Sequence, residues 1–186
     1  MPLIAIYDAC VLYPAPLRDF LLRLGRAGVV QVRWSDTILD ECFRNILKNR
    51  PDLSEASLAR TRVVMNAAFP SACVEGFQEL IQTLHLPDED DRHVLAAALQ
   101  AKAPVIVTFN LRDFPSAVLE PLGVFAIHPD DFVLERIADG LEPIQSVLTK
   151  QAADLHRPPG TVEDVLARLQ ECGLPRSVAR LRAERA

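Results

Sequence analysis

Four acidic residues that are far apart in the chain occupy positions that a parallel α/β fold would bring together. Asp8 ends the first apolar run of the sequence, and Asp113 follows shortly after a later one. Open parallel sheets bind their ligands outside the carboxyl ends of the strands. Asp91 stands at the start of a helix-like segment, where free amides favour a carboxylate, and Glu41 can point along the same sheet edge from an earlier helix. The pattern predicts a divalent-metal site.

The expected chemistry of this site is hydrolysis without a covalent intermediate. Several carboxylates close together repel one another, which raises some of their pKa values unless a hard dication neutralises them. Mg²⁺ or Mn²⁺ would retain water, make a bound water nucleophilic and offset charge on a scissile phosphate. We expect Asp8 and Asp113 to bind the metal directly and Asp91 directly or through water. Glu41 would be an outer ligand or the base that orients water.

Strands and helices alternate along the part of the chain that carries these acids. Apolar runs predict strands near 3–7, 29–34, 104–109 and 124–127, and helical stripes predict a helix from 17 to near Gly25 or Gly28 and helices near 36–50, 54–68 and 92–102. The stretch from Pro70 to Pro87 gives no clear pattern. This order favours a doubly wound parallel sheet with right-handed crossovers, flanked by helices.

The sequence beyond Pro129 predicts helices only. The predicted features are a helix from Asp131, a helix over 144–155, a break at 157–160, and a capping box of Thr161 and Asp164 before a helix that ends at Gly173. We therefore expect two parts, an α/β domain over 1–130 and a helical C-terminal extension over 131–186.

Composition limits the class of protein. The chain has 186 residues, of which 49% are hydrophobic, enough for one domain with a real core. No apolar stretch approaches the roughly 18 residues of a membrane helix, and the amino terminus lacks the basic segment of a signal peptide. A cytoplasmic protein is expected. Its four cysteines are widely spaced without a C-x-x-C, which predicts reduced thiols and gives a zinc site little support.

The net charge of −5 is unevenly distributed. Residues 1–62 carry +2, residues 63–143 carry −9 and residues 144–186 carry +2, and only three of the 20 basic residues are lysine. Arginine is the better bidentate partner of phosphate, although arginine-rich coding would give the same usage. An acidic middle between arginine-bearing flanks suits a metal-dependent enzyme that acts on a polyanion.

Four segments together resemble a known family. IYDACVLYP, WSDTILDECFRNIL, DEDDRHVLAAAL and TFNLRDFP, in this order, are similar to the motifs of PIN-domain nucleases, and among them to the VapC-like toxins of bacterial toxin–antitoxin pairs. Each motif alone is weak, but together they span residues 4 to 115 and are specific. The resemblance assigns the acidic quartet of the family to Asp8, Glu41, Asp91 and Asp113.

The resemblance also marks residues around the quartet. Asp88 and Asp90 would assist the neighbouring Asp91, and Asn110 falls where many relatives carry a further polar or acidic residue. Thr108 would support Asp113, bind phosphate or serve as an ordinary strand-end hydroxyl. Relatives often carry Asn two positions after the first Asp, where this chain has Cys10, so the polar contact at that position is open.

The resemblance implies a Mg²⁺- or Mn²⁺-dependent endoribonuclease that cuts RNA and acts as a toxin. Its partner would be a small antitoxin, in a homodimer or a higher assembly, whose apolar helix lies in a groove. The apolar stripe from Val162 to Leu169 would either modify such a groove or pack on the core of the α/β domain. Candidate RNA contacts are Arg18, Arg44, Lys48 and Arg112.

Other functions fit the sequence less well. A non-catalytic PIN-like module that binds RNA or protein remains an alternative, although all four acids are present. A haloacid dehalogenase-type phosphatase needs a second Asp where Cys10 stands, and a dinucleotide-binding protein needs a glycine-rich loop after Asp8. His93 lies roughly 200° around a helix from Asp91 and is expected to face away from it in a structural role.

Overall fold

A four-stranded parallel sheet forms the centre of the protein. The computed structural model describes residues 2–156 and 160–185, so residues 157–159 of the predicted break lie outside the described part. The strands are β1 (Leu3–Tyr7), β2 (Val30–Arg33), β3 (Val105–Val107) and β4 (Phe125–Ile127), in the order β2-β1-β3-β4. Ala5 of β1 pairs with Val32 on one side and Val105 on the other, which confirms the parallel α/β class.

Helices flank the sheet and make up the C-terminal part. They are α1 (Ala9–Leu12), α2 (Ala15–Arg26), α3 (Asp36–Asn49), α4 (Glu55–Ala68), α5 (Gln78–Ile81), α6 (Arg92–Gln100), α7 (Ser116–Leu119), α8 (Pro129–Asp139), α9 (Leu141–Ala153), α10 (Val162–Glu171) and α11 (Pro175–Ala183). Short 3₁₀ turns cover Glu89–Asp91, Leu111–Asp113 and Glu120–Leu122. The stretch without a clear pattern forms α5 and a bridge from Cys73 to Trp34.

Side-chain caps explain where several helices begin. Ser35 Oγ accepts from the Ile38 amide at 3.2 Å at the start of α3, and Thr161 and Asp164 form the predicted capping box of α10. Helix α8 begins at Pro129 rather than at Asp131 as predicted. Proline suits the first helical position because its fixed φ is already helical and its missing amide would have no partner there.

The end of β1 and the whole of β3 are completely buried. Ala5, Ile6 and Tyr7 at the end of β1, and the whole of Val105–Val107, have no exposed surface. Because helices cover both faces of the sheet at its centre, β1 and β3 are apolar runs, whereas β2 alternates between buried valines and the half-buried Gln31 and Arg33. The carboxyl ends of β1 and β3 therefore emerge side by side from a rigid core.

The C-terminal helices pack on this core. Val165, Leu166 and Leu169 of α10 are buried and belong to the same hydrophobic cluster as the sheet, and α10 contacts α2 and α9. Val165, Leu166 and Leu169 thus pack on the core, which is one of the two alternatives for the α10 stripe, and its influence on a partner groove stays a prediction. The division into 1–130 and 131–186 stays a prediction.

Asp130 fixes the last helix to α8. Its two carboxylate oxygens accept from the amides of Arg176 and Ser177 at 3.0 and 2.8 Å, at the start of α11. These bonds satisfy amides that have no partner within the helix. Within the described ranges, no helix is long and apolar enough to cross a membrane. All four cysteines are free thiols.

Candidate active site

Asp8 is the most firmly held of the four acids. It follows β1 directly, is 2% exposed and caps α1, with Oδ1 accepting from the Ala9 amide at 2.7 Å. Its Oδ2 accepts from Thr108 Oγ1 at 2.7 Å and from Cys10 Sγ at 3.2 Å. Burial raises the pKa of Asp8, although these three hydrogen bonds oppose the rise. The carboxylate is therefore preorganised at the sheet edge.

Thr108 directly follows β3, and its side chain is hydrogen-bonded to Asp8. Its hydroxyl is buried, donates to Asp8 and accepts from the Asn110 amide at 3.0 Å. Of the roles open to Thr108, support of Asp113 is therefore not the one observed, because its only proton already points to Asp8. The link joins β1 to the loop after β3, which also carries Asp113.

Cys10 occupies the position where the family resemblance predicts Asn. Its thiol contacts Asp8 and accepts from the Phe109 amide at 3.4 Å. Burial, followed by the nearby charge of Asp8, raises the pKa of Cys10 to about 12. The side chain therefore stays a neutral thiol that can donate to the carboxylate, so a polar contact is kept at this position.

Asp91 shows that the distant acids converge. It precedes α6 at the N-cap position, yet its carboxylate makes no capping hydrogen bond and is free for other contacts. The pKa of Asp91 is raised to about 7, first by burial and then by the negative charges of Asp8, Asp88, Asp113 and Glu41. The fold thus brings all four predicted acids into one electrostatic neighbourhood.

The remaining acidic and polar candidates differ in position. Asp113 ends the 3₁₀ turn after β3 and is half-buried, whereas Asn110 is exposed. Asp88 Oδ1 accepts from the Asp90 amide at 2.9 Å and so caps its own turn. Asp90 is exposed and is not among the charges that raise the pKa of Asp91. Asp88 is therefore the closer auxiliary group.

The donor set suits a hard dication, although it does not form a closed cage. Within residues 2–156 and 160–185, no three Asp, Glu, His or Cys side chains are arranged so that they could hold a metal ion. Mg²⁺ is usually bound by one or two carboxylates, waters and substrate phosphates rather than by an all-protein cage. Burial, and then the negative charges of neighbouring acids, raise the pKa of Asp91, and a dication would neutralise those charges. The chemistry of the residues therefore fits Mg²⁺ or Mn²⁺.

His93 contacts Glu41, which with Asp8, Asp91 and Asp113 forms the acidic cluster. It is 9% exposed, and its Nε2 lies 3.4 Å from Glu41 Oε2, between α6 and α3. The helical spacing gave its direction relative to Asp91 but not the helix that it would meet. The only signal in the sequence was a histidine within the third acidic motif, and the interpretation of a purely structural residue overlooked this contact.

Comparison with known proteins identifies the family to which this α/β domain belongs. A family model described as the PIN domain matches residues 5–112, which is more than half of the chain. The chain belongs to the PIN-domain family. A second model, described as the VapC50 C-terminal domain, matches residues 129–183 of this PIN protein.

A curated relative supports the same placement. The protein named "Putative ribonuclease VapC50" from Mycobacterium tuberculosis (strain ATCC 25618 / H37Rv) is 38% identical over 96 residues, which are 52% of this PIN protein and 56% of the relative. The match thus spans little more than half of that relative. No solved structure matches the chain significantly. The resemblance to VapC-like PIN proteins is confirmed, and the phosphatase and dinucleotide-binding alternatives lose their basis.

The basic residues predicted to contact RNA fall into two groups in this PIN domain. Arg18 Nη1 donates to the Leu12 carbonyl at 2.7 Å, and burial lowers the pKa of its guanidinium. The Arg18 side chain thus satisfies the carbonyl of Leu12, the last residue of α1. Arg44, Lys48 and Arg112 are exposed, and the first two lie three and seven residues after Glu41 on α3. That spacing places them on the same helix face as Glu41.

Proposed function

We propose that this PIN protein is a metal-dependent endoribonuclease and the toxin of a toxin–antitoxin pair. The observation that carries the proposal is the convergence of Asp8, Glu41, Asp91 and Asp113, whose negative charges add to burial in raising the pKa of Asp91 to about 7. Strongly perturbed carboxyl groups gathered at the carboxyl ends of parallel strands are typical of functional sites. The ribonuclease name of the VapC50 relative supports the same reaction class.

In this proposal each acid has a defined role. Asp8 and Asp113 would bind Mg²⁺ or Mn²⁺ directly and Asp91 through water, and the metal would supply an activated water and neutralise charge on the phosphate. Glu41 would orient the attacking water from α3. Thr108 keeps the Asp8 carboxylate in place through its 2.7 Å hydrogen bond, so one ligand is fixed before the metal binds.

The direct test is cleavage of RNA by the purified protein. Single-stranded or looped RNA should be cut with Mg²⁺ or Mn²⁺ and left intact in excess EDTA, and sequencing of RNA ends after brief induction in cells would identify the cut sites. RNA and an antitoxin would both be met in the cytoplasm, where we propose that the protein acts. Rapid turnover of a small phosphomonoester without RNA cleavage would contradict the proposal.

RNA binding should depend on the basic face of α3. Arg44→Ala and Lys48→Ala are each expected to weaken RNA binding by about two- to tenfold at low salt and to reduce the salt dependence by about one unit of slope, because each removes one phosphate contact. Arg168→Ala on α10, a helix that carries none of the four acids, is the matched control. Binding titrations at several salt concentrations would measure this, and equal losses for all three variants would contradict it.

The partner surface is expected to lie on α4. Val63 and Val64 are 67% and 66% exposed, and Val64 lines a groove between α2 and α4 together with Leu22 and Met65. Two adjacent exposed valines beside a groove that also carries charged residues such as Asp19 and Arg60 suit the apolar helix of a small antitoxin. We propose that the complex is a homodimer or a higher assembly with this antitoxin.

Co-expression with the neighbouring small open reading frame tests the partner. It should restore growth and yield a co-purifying complex. Val64→Asp is expected to weaken capture of the antitoxin by about tenfold or more, because a carboxylate would be buried in the interface. Leu122→Asp, at a side chain that is 41% exposed elsewhere on the surface, is the control. Toxicity that no neighbour relieves, or no loss of capture with Val64→Asp, would refute this part.

A further inference from the structure

The contact between His93 and Glu41 has a geometry that goes beyond helix packing. His93 is nine-tenths buried on α6, and its Nε2 lies 3.4 Å from Oε2 of Glu41 on α3. The other ring nitrogen, Nδ1, is also buried and has no hydrogen-bond partner. The imidazole therefore makes its one polar contact within the described residues to a carboxylate of the acidic cluster.

Glu41 needs such a contact if it is to stay at the cluster. Its negative charge raises the pKa values of both Asp8 and Asp91, so the same repulsion acts on Glu41. Its side chain is 35% exposed and can rotate about three bonds. Repulsion and rotational freedom both favour a Glu41 carboxylate that turns to solvent.

His93 is suited to oppose that motion. Its ring is held by the core, and a proton on Nε2 would point toward the Glu41 carboxylate. The separation of 3.4 Å is somewhat longer than the usual N–H···O distance of about 2.7–3.2 Å, and a small rotation of Glu41 would close it. That tautomer leaves Nδ1 as a buried acceptor without a hydrogen-bond partner. Such an unpaired buried group costs free energy that an apolar side chain at this position would avoid.

We propose that His93 is the positioning residue of Glu41, and that it fixes this carboxylate at the edge of the acidic cluster. The inference rests on the proposed nuclease function and adds to it a residue outside the four acids. His93 acts through Glu41, so its removal should matter only while Glu41 is present.

A double-mutant cycle tests this dependence. His93→Leu removes the donor at similar volume, His93→Gln keeps an N–H donor near the position of Nε2, and Glu41→Gln removes the charge. His93→Leu is expected to lower kcat for RNA cleavage by about ten- to a hundredfold with little change in KM, since partners that orient site residues typically contribute that much. His93→Gln should recover most of the loss. In the Glu41→Gln background, His93→Leu should cost less than about twofold.

A second readout does not need catalysis. Binding of Mn²⁺ alone, followed by calorimetry, should weaken by about threefold or more in His93→Leu and in Glu41→Gln, and no further in the double variant. If the wild-type protein cut no RNA, the proposed nuclease function would be refuted. The Mn²⁺ affinities of the wild-type protein, the two single variants and the double variant would still test whether His93 acts through Glu41. Independent, additive losses in both cycles, or equal losses with His93→Gln and His93→Leu, would overturn the proposal and leave His93 as a core residue.

Discussion

Asp8→Asn is expected to lower metal-dependent RNA cleavage by about a thousandfold or more, because a bound metal supplies several kcal/mol of transition-state stabilisation. The amide can still accept from the Ala9 backbone and can still meet the Thr108 hydroxyl, which can turn to accept from it. The change therefore removes the charge that holds the metal while it keeps the hydrogen bonds that hold the loop. Initial rates on a fluorescent RNA with saturating Mg²⁺ or Mn²⁺ would measure the loss.

Two comparisons separate this effect from misfolding. Asp52→Asn removes an exposed carboxylate that pairs only with Arg50 in the turn after α3, and it should leave the cleavage rate unchanged. The melting temperature of Asp8→Asn should not fall, because one source of carboxylate repulsion is gone. Full activity of Asp8→Asn, or of the wild-type protein in excess EDTA, would show that Asp8 does not act through a metal.

The two central strands of this fold were predictable because helices cover both faces of the sheet where they lie. Runs such as Leu3–Tyr7 and Val105–Val107 have few polar residues, and only a sheet covered by helices on both faces accepts such strands. Asp8 and Asp113 could be placed for the same reason, since each follows a run of this kind at the sheet edge. Local sequence thus determined both the strand and the position of the acid next to it.

Contacts between distant helices could not be predicted in this way. The periodicity of α6 gave the direction of His93 relative to Asp91, but the neighbour in that direction is Glu41 of α3, more than fifty residues earlier. The apolar stripe of α10 was recognised from its spacing, whereas its burial against α2 and α9 depends on how the chain folds back. Periodicity defines a face of a helix, and tertiary packing decides what covers it.

Burial and mutual repulsion at the acidic cluster also have a consequence for stability. Asp91 keeps a pKa of about 7 in the folded protein, against 3.8 as its ordinary value. Between these values the folded state retains a proton that the unfolded state releases, so the free energy of unfolding falls as the pH rises from about 4 to about 7. Below about 4 the stabilisation from protonated Asp91 is complete, and above about 7 it is lost. A shift of about three units is at most about 4 kcal/mol, and solvent screening at this half-buried site reduces it to about 1–2 kcal/mol.

Asp91→Asn is therefore expected to raise the free energy of unfolding of the metal-free protein by about 1–2 kcal/mol at pH 8 and to change it little at pH 4. Denaturant unfolding in EDTA across this pH range, with the wild-type curve subtracted from the variant curve, isolates Asp91 from other titrating groups.

Adding Mg²⁺ at pH 8 should stabilise the wild-type protein more than Asp91→Asn, since only the wild-type protein has the Asp91 carboxylate, whose charge the metal offsets. Asp52→Asn, treated in the same way, should show neither effect. A difference curve that is flat from pH 4 to pH 8, or equal stabilisation of both proteins by Mg²⁺, would show that Asp91 is not held next to the other carboxylates as the fold places it.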